Sequence, residues 1–327
     1  MAKTQNKMQK NLRQFFRVFF SRGWVTKLCF GLIVLFVFCA LFAPILTPFT
    51  PYEQDLLSML QGPSSKHLLG TDMLGRDTLT RLLYGARVSL ITGLLSSIWA
   101  ALVGTTLGLI SGYFGGWIDT VIMRLTDAMI AIPPLIFTMV LSSIVSGNLL
   151  GISVVIGVSI MPSYIRMVNG LVVSLRENDY VVAANLIGQK QSIIMFKHLL
   201  PNCFASLIVI FTMNLGTAVM LEATLSYLGV GIVPPTPAWG VMVSEGYKYL
   251  FNQPLIAILP GICMMSVLKW SVAKHLALSA NPAAVKPRRA NACCASIPPQ
   301  MATSITKART SAALPKVSWP RSGVKFS

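Results

Sequence analysis

The chain has 327 residues, a net charge of +17, 54% hydrophobic residues and only 11% charged residues. Soluble domains carry about 25% charged residues, so this composition excludes an ordinary soluble domain and indicates a membrane protein. The positive charge is concentrated in the two tails that flank the apolar segments. Basic tails of this kind follow the positive-inside rule, and no recognised nucleic-acid-binding module interrupts the apolar segments. We therefore expect no nucleic-acid partner.

A basic tail and a first membrane span open the chain. Residues 1–27 mix aromatic side chains with arginines between Arg13 and Trp24, which is typical of a cytoplasmic segment on a membrane surface. Residues 28–47 are apolar over roughly the 20 residues that a transmembrane helix needs. The positive charges before this span predict that its N-terminus stays inside and that residues 48–87 lie outside.

An unusual string, HLLGTDMLGRD, occupies residues 67–77 of this outer segment. Gly70 and Gly75 favour turns, and Thr71 or Asp72 has a side chain that can cap a following helix. The chemistry alone predicts a capped turn ahead of an amphipathic helix.

Residues 88–264 form the predicted membrane core. Gly93, Gly104 and Gly108 in its first span suit close packing between helices. Glu222 follows the last full span of the core, and a position at the outer end predicts a solvated carboxylate. The predicted spans are 88–110, 118–145, 149–168 and 203–221, and a further span begins at Leu255.

The span 118–145 contains charges and a pair of prolines. Arg124 and Asp127 are three residues apart, a spacing at which helical side chains meet, so we predict that they form an intramembrane ion pair. Pro133 and Pro134 are expected to kink the helix midway.

Residues 176–202 are too polar to cross a bilayer and predict a helical hairpin on the cytoplasmic surface. Gly188 lies where the first helix would end in a left-handed residue. A second short helix, from Ser192 to Leu200, is expected to stop before Pro201. One face of the first helix collects residues spaced three and four apart, namely Tyr180, Ala183, Ala184 and Ile187.

The last predicted span is short, because about fourteen apolar residues precede Lys269, a length that is ambiguous for crossing a bilayer. Residues 265–327 comprise the end of this span and a basic, Pro- and Ala-rich tail that we expect to be disordered.

Motifs for catalysis are missing from the sequence. It has no Gly-x-x-x-x-Gly-Lys-Ser/Thr loop, no His-Glu-x-x-His and no Gly-x-Ser-x-Gly, so we do not expect an enzyme. The cysteines show no metal-ligand spacing, so we predict no metal site, and the histidines are far apart, which argues against an intramembrane hydrolase. These residues are Cys29, Cys39, Cys203, Cys263, Cys293 and Cys294, with His67, His198 and His275. A pore-forming subunit that receives energy through its cytoplasmic hairpin fits best; a stand-alone secondary transporter is an alternative.

Several strings resemble one family, the inner-membrane permease subunits of binding-protein-dependent ABC importers in the dipeptide, oligopeptide and nickel branch. The resemblance covers roughly residues 10–264. It is most specific in the cytoplasmic hairpin, where the Ala-Ala pair, the glycine and the Leu-Pro pair keep the family's spacing. The strings are residues 69–77, 82–89, 112–119, 225–231 and 234–240, and the hairpin residues are Ala183, Ala184, Gly188, Leu200 and Pro201.

The resemblance implies an all-α, multi-pass protein of the bacterial inner membrane, with six transmembrane helices, the type I ABC importer permease fold and both termini in the cytoplasm. Residues 48–87 would be a periplasmic segment. The hairpin 176–202 would dock into a groove of a separate ATPase. The implied ATPase-coupling residues are Tyr180, Ala183, Ala184, Gly188, Leu200 and Pro201.

The same resemblance implies the partners and the cargo. Two ATP-binding cassette subunits, a second homologous permease, a periplasmic solute-binding protein and membrane lipid are the expected partners. ATP would be used by the partner subunits, and this chain would bind no cofactor. Peptides are the expected cargo, with nickel or its chelates next, and no span presents a legible substrate-binding site.

The sequence departs from the family pattern at two places, and each departure leads to an expectation. Val182 stands where the family has a glutamate, which is expected to weaken coupling modestly. From about Met265 the chain changes into its basic tail, where family members continue the span and end in a short acidic segment. A shifted reading frame, and hence a nonfunctional remnant of a permease, is therefore an alternative interpretation.

Overall fold

The structure of the chain, a computed structural model, describes residues 31, 38, 40–145 and 147–279, with side chains described up to residue 269. The chain divides into two units, residues 1–285 and 286–327, and the second unit lies outside the described residues, as does the predicted segment 1–27. Every regular element in the described residues is helical, apart from a single bridge between Thr71 and Asp77. The all-helical prediction is confirmed for this part of the chain.

Residues 40–46 are helical, and eight further helices follow within the described residues. A 3₁₀ turn, Leu56–Ser58, precedes them. The helices are α1 (Thr78–Phe114), α2 (Gly116–Ala131), α3 (Pro134–Val145), α4 (Leu149–Arg176), α5 (Asp179–Leu186), α6 (Gln191–Tyr227), α7 (Trp239–Tyr247) and α8 (Leu255–Ser279).

Three of these helices, α1, α4 and α6, are long and apolar enough to cross a membrane. Helices α2 and α3 together form a fourth candidate membrane span, and their axes are bent by 94° at the break between them. The predicted kink is confirmed: Ile132 has an extended backbone because the residue before a proline avoids the helical conformation. In α8 the apolar part, Leu255–Lys269, is shorter.

Glycines allow a close helix contact, as predicted for this part of the sequence. Gly104, Gly108 and Gly112 of α1 follow one another at four-residue intervals and face α4. A Cβ atom on Gly104 would lie 2.7 Å from the Tyr164 Cβ, and one on Gly112 would lie 2.8 Å from the Val172 Cβ. The absence of side chains therefore lets α1 and α4 pack closely along their length.

The two ends of this helical bundle differ. At one end, which we call the loop end, Gln253 Nε2 donates to the Leu60 carbonyl at 3.0 Å and Trp239 Nε1 donates to the Leu82 carbonyl at 3.1 Å. At the other, which we call the hairpin end, the Tyr113 hydroxyl donates to Asn185 Oδ1 at 3.1 Å. Side-chain hydrogen bonds therefore tie the long helices to the connections at both ends.

Candidate functional site

Four ionised side chains form a buried group at the loop end, which we call the loop-end charge cluster: Asp72, Arg76, Arg81 and Glu245. The Asp72 carboxylate accepts from Arg76 Nε at 2.7 Å and also binds Arg81. Glu245 of α7 accepts from Arg76 Nη2 at 3.1 Å and from Arg81 Nη1 at 2.7 Å. Both arginines are at most 2% exposed. The cluster therefore joins the segment before α1, α1 itself and α7.

The start of α1 is capped by Asp77, not by Thr71 or Asp72 as the sequence predicted. Asp77 Oδ2 accepts from the Thr80 backbone N–H at 2.8 Å, while its Oδ1 accepts from His67 Nδ1 at 3.0 Å. The prediction for Asp72 was wrong because its carboxylate binds Arg76 and Arg81 in the loop-end charge cluster and therefore does not cap α1. Consequently α1 begins at Thr78, within the predicted outer segment.

Glu222 is fully buried, so the prediction of a solvated carboxylate was wrong. Helix α6 continues to Tyr227, and the following loop folds back over its end. The Ser226 hydroxyl donates to Glu222 Oε1 at 2.8 Å and accepts from the Ile232 backbone N–H at 3.0 Å. Glu222 therefore holds the loop after α6 in place from inside the protein.

Asp127 was predicted to form an ion pair with Arg124, but it has a different partner in the structure. Asp127 Oδ1 accepts from Arg166 Nη2 of α4 at 2.5 Å. Arg124 forms no ion pair within the described part of the chain. The predicted partner was wrong because the crossing of α2 and α4 brings Arg166 to Asp127, and a contact between helices is not visible in local spacing. The two side chains are 47% and 45% exposed, so the pair lies on the surface of the isolated chain.

At the hairpin end, α5 packs its face onto the membrane helices. Val181 and Ala184 are buried against a group that includes Leu109, Val168 and Leu199. Tyr180 is half-buried, its hydroxyl accepts from Asn202 Nδ2 at 3.2 Å, and burial raises the pKa of its phenol. The predicted face was only partly correct: Tyr180 and Ala184 pack inward, whereas Ile187 is 74% exposed. Gly188 has the expected left-handed backbone, with φ of +76°.

The second helix of the hairpin does not stop before Pro201. It continues as α6 from Gln191 to Tyr227, with a π-helical stretch at Ile194–Leu199 just before the proline. A π-helical turn widens the helix, and this is a recognised way to accommodate a local disturbance without ending the helix. The predicted break was therefore wrong, and the hairpin is continuous with a long apolar helix.

The tip of the hairpin exposes large apolar side chains beyond the buried face. Leu186 is 83% exposed, and Phe196 and Val182 are about half-exposed. Lys190 and Lys197 of the same hairpin are exposed as well. A well-packed hairpin that exposes large apolar side chains together with lysines has the composition of a protein-docking surface.

Comparison with known proteins identifies the family. Residues 104–274 match the family described as binding-protein-dependent transport system inner membrane component. The chain belongs to this family. Residues 12–63 match a second family, which is described as the N-terminal transmembrane domain of oligopeptide transport permease C.

Curated relatives cover most of the chain. A dipeptide transport system permease protein DppC of Alkalihalophilus pseudofirmus is 40% identical over 73% of this chain and 79% of that protein. The DppC of Haemophilus influenzae is 39% identical over 76% and 85%. A glutathione transport system permease protein GsiD of Pectobacterium atrosepticum is 34% identical over 80% and 87%. A solved structure of the inward-facing MetNI methionine ABC transporter is similar over 61% of this chain and 96% of that chain, with a TM-score of 0.46 and 19% identity.

The family match also bears on the C-terminal part of the core. It runs past Met265 to residue 274, and α8 continues to Ser279. Nothing in the structure or in these comparisons supports a chain that loses its family character at Met265. The interpretation of this chain as a frameshifted remnant therefore gains no support.

Proposed function

We propose that this chain is the permease subunit of an ABC importer for peptides, and that the hairpin 176–202 couples it to separate ATPase subunits. Membership of the family supports a transport role, and relatives named for dipeptide, peptide or glutathione transport support a peptide cargo. The observation that carries the coupling role is the exposed apolar tip of the hairpin, around Leu186.

The structure of the hairpin suits the transmission of movement. The buried residues of α5 fix it to α1 and α4, while α6 leads from the hairpin into the membrane core without a break. A displacement of the tip would therefore move long helices as bodies, which is how packed helices respond to domain closure. Six proposed coupling residues belong to this region: Tyr180, Ala183, Ala184, Gly188, Leu200 and Pro201.

The proposed assembly contains this chain, a second homologous permease, two ATP-binding cassette subunits and a periplasmic solute-binding protein. The subunits would sit in the bacterial inner membrane, with the hairpin end in the cytoplasm and the loop end outside. We propose six transmembrane helices in the type I arrangement, with both termini cytoplasmic. Reporter fusions at residue 62 and at Gly188 test this orientation, since opposite sides are expected; the same side for both would overturn it.

Reconstitution of the five components in proteoliposomes tests the function. We expect uptake of a labelled dipeptide that requires both ATP and the binding protein. Uptake by this chain without the ATPase subunits, driven by an ion gradient, would instead identify a stand-alone secondary transporter. Absence of dipeptide uptake together with ATP-dependent nickel uptake would correct the cargo.

The coupling role has its own test at Leu186. The substitution Leu186→Asp places a charge on the exposed tip without disturbing a buried contact. We expect the ATPase subunits to be lost from the detergent-purified complex, because a charge in an apolar interface leaves an ion without solvent. Leu57→Asp is the matched control, since Leu57 is 95% exposed at the loop end. Equal retention of the ATPase by both variants would refute docking at this tip.

A further inference from the structure

Helix α4 carries a polar stripe on its side away from α1. The stripe contains Ser159, Ser163, Arg166, Gly170 and Ser174, which recur at intervals of three and four residues and so share one face. From Ser163 onward these residues are exposed, whereas the remaining residues of α4 between Ser163 and Arg176 are buried or half-buried.

Two neighbouring helices extend this stripe through side-chain contacts. Arg166 pairs with Asp127 of α2 at 2.5 Å, and the Ser163 hydroxyl accepts from Asn214 Nδ2 of α6 at 3.1 Å. Thr217, one helical turn beyond Asn214, is exposed as well. The resulting surface, which we call the mid-span polar surface, comprises Asp127, Ser163, Arg166, Asn214 and Thr217.

The depth of this surface makes it unusual. Asp127 and Arg166 lie about 15 Å from the hairpin-end termini of their helices, and Ser163 lies about 20 Å from either end of α4, at the rise per residue of an α-helix. A bilayer core is about 30 Å thick, so these groups fall near its middle. Charged side chains at that depth face a protein interior or a water-filled cavity and seldom face lipid.

The exposed surface of α1 at comparable depth has the opposite character. Leu102, about 18 Å from the hairpin end of α1, is exposed there, and Ile98 and Leu94 are exposed one and two helical turns further toward the loop end, as expected for a face that meets lipid or another apolar surface. The chain therefore presents one apolar and one polar side at the middle of the membrane. That asymmetry separates a lipid-facing side from a side that needs water or polar groups.

We propose that the mid-span polar surface lines the translocation path and holds the charged ends of the passing peptide, with Asp127 receiving the ammonium group and Arg166 the carboxylate. This inference rests on the proposed function and specifies the substrate contact within it. The chemistry matches a zwitterion: a carboxylate accepts from an ammonium, and a guanidinium offers several donors in a planar fork that fits a carboxylate. The pair is neutral as a whole, so in an empty path the charges of Asp127 and Arg166 compensate each other.

The contacts of Arg166 allow this role. Within the described residues, the guanidinium of Arg166 donates to Asp127, and the side chain is 47% exposed. Beside the pair, Asn214 offers its amide to the peptide backbone, while the Ser163 hydroxyl donates to the Ile160 carbonyl at 2.6 Å and offers only its oxygen as an acceptor. This arrangement contacts only the charged ends and the backbone, which all short peptides share. It therefore requires no particular amino-acid side chain.

The first experiment measures dialanine uptake and ATP hydrolysis together in the reconstituted complex. Asp127→Asn keeps the side-chain shape, and Arg166→Gln shortens the side chain but keeps a hydrogen-bond donor; each substitution removes one charge. We expect uptake per ATP hydrolysed to fall by roughly tenfold, because a charge-assisted contact to substrate is lost. Hydrolysis stimulated by the binding protein should persist. Unchanged uptake per ATP in both variants would overturn the proposal, as would equal losses of hydrolysis and uptake, which would indicate a structural role.

A matched control for this experiment is the ion pair between Asp55 and Lys66, which is also exposed but lies at the loop end. Asp55→Asn with Lys66→Gln should leave uptake per ATP unchanged. The exchanged double variant Asp127→Arg with Arg166→Asp adds a second criterion. It should recover part of the uptake lost by Asp127→Arg alone, since both charges are again present in the path.

The second experiment tests access of water and does not depend on transport. Ser163→Cys and Leu102→Cys are compared in a chain whose native cysteines are replaced by serine, using a membrane-impermeant, charged thiol reagent on the assembled complex. We expect Ser163→Cys to react at least tenfold faster, because Leu102 is on the apolar side at comparable depth. Equal rates would refute an aqueous path here. If the unmodified complex took up no dialanine but Ser163→Cys still reacted faster than Leu102→Cys, the peptide cargo would be refuted. The aqueous path at the mid-span polar surface would still be supported.

Discussion

Two groups of opposite charges show how differently this chain uses the same residue types. In the loop-end charge cluster, Asp72, Arg76, Arg81 and Glu245 are almost entirely shielded from solvent. In the mid-span polar surface, Asp127 and Arg166 are nearly half-exposed although they lie within apolar helices. A charge that is buried by its own chain stabilises an arrangement of segments, whereas one left open within a membrane core indicates a polar environment supplied from elsewhere.

The position of each group in the chain fits this distinction. The loop-end cluster connects residues far apart in sequence, since Glu245 of α7 meets Arg76 and Arg81 near the start of α1. It therefore fixes the loop end as one rigid region. The mid-span pair connects only α2 and α4 and leaves donors and acceptors on its open side. Substitutions in the two groups should therefore separate stability from transport.

The largest effect on stability is expected for Arg81→Met. This change leaves Asp72 and Glu245 buried with one cation fewer, and breaking a buried ion pair typically costs about 3–5 kcal/mol. Thermal unfolding of the detergent-solubilised complex measures it. Lys66→Met, at an exposed pair, is the control and should change the midpoint little. A cluster variant as stable as this control would contradict the structural role of the cluster.

An intermediate effect is expected at Glu222. Glu222→Ala removes the acceptor of the Ser226 hydroxyl inside the protein, so roughly 1–3 kcal/mol of stability should be lost. Glu222→Gln keeps an acceptor oxygen and should be milder. Protease sensitivity of the loop after Tyr227 gives a second measurement, because the same serine accepts from Ile232 in that loop. Equal stability of the alanine variant and the native chain would show that the carboxylate holds nothing in place.

A small effect on stability is expected for Asp127→Asn and Arg166→Gln, in contrast to their expected effect on transport. Half-exposed ion pairs contribute about 1 kcal/mol or less to folding. The unfolding midpoint should stay close to that of the native complex while uptake per ATP falls. A loss of stability as large as that of Arg81→Met would remove the distinction between the two groups.

The smallest effect is expected for Val182→Glu, which restores the residue expected from the family resemblance on the hairpin. Val182 is 46% exposed, so a glutamate can be solvated there, and an exposed charge contact contributes about 1 kcal/mol or less. We expect at most a fewfold increase in coupled ATP hydrolysis. Val182→Gln is the control for side-chain size. A decrease with glutamate but not with glutamine would indicate a partner surface that is itself acidic.

The sequence predicted the local features that depend on neighbouring residues. The break at Pro133, the left-handed Gly188 and the glycines that face α4 all follow from what a single residue permits in its own backbone or at its own surface. The strings that resembled the permease family were equally local, and the family assignment is confirmed.

The wrong predictions share a different origin. The partner of Asp127 and the burial of Glu222 depend on residues that are distant in sequence or on a loop that folds back. The cap of α1 is itself a local contact of Asp77, but Asp72 is drawn away from that role by a cluster that includes the distant Glu245. Pro201 belongs with them, because the π-helical turn and the packing around Leu199 carry the helix through a residue that would end it in isolation.

Composition and periodicity by themselves determined that this chain is a helical membrane protein with a polar hairpin between its spans, because hydrophobicity and helical spacing are properties of short stretches of sequence. The tertiary structure alone decided which charges are enclosed and which remain open. Charges are paired and shielded by whichever helices cross beside them, and that crossing is set by the packing of the whole bundle.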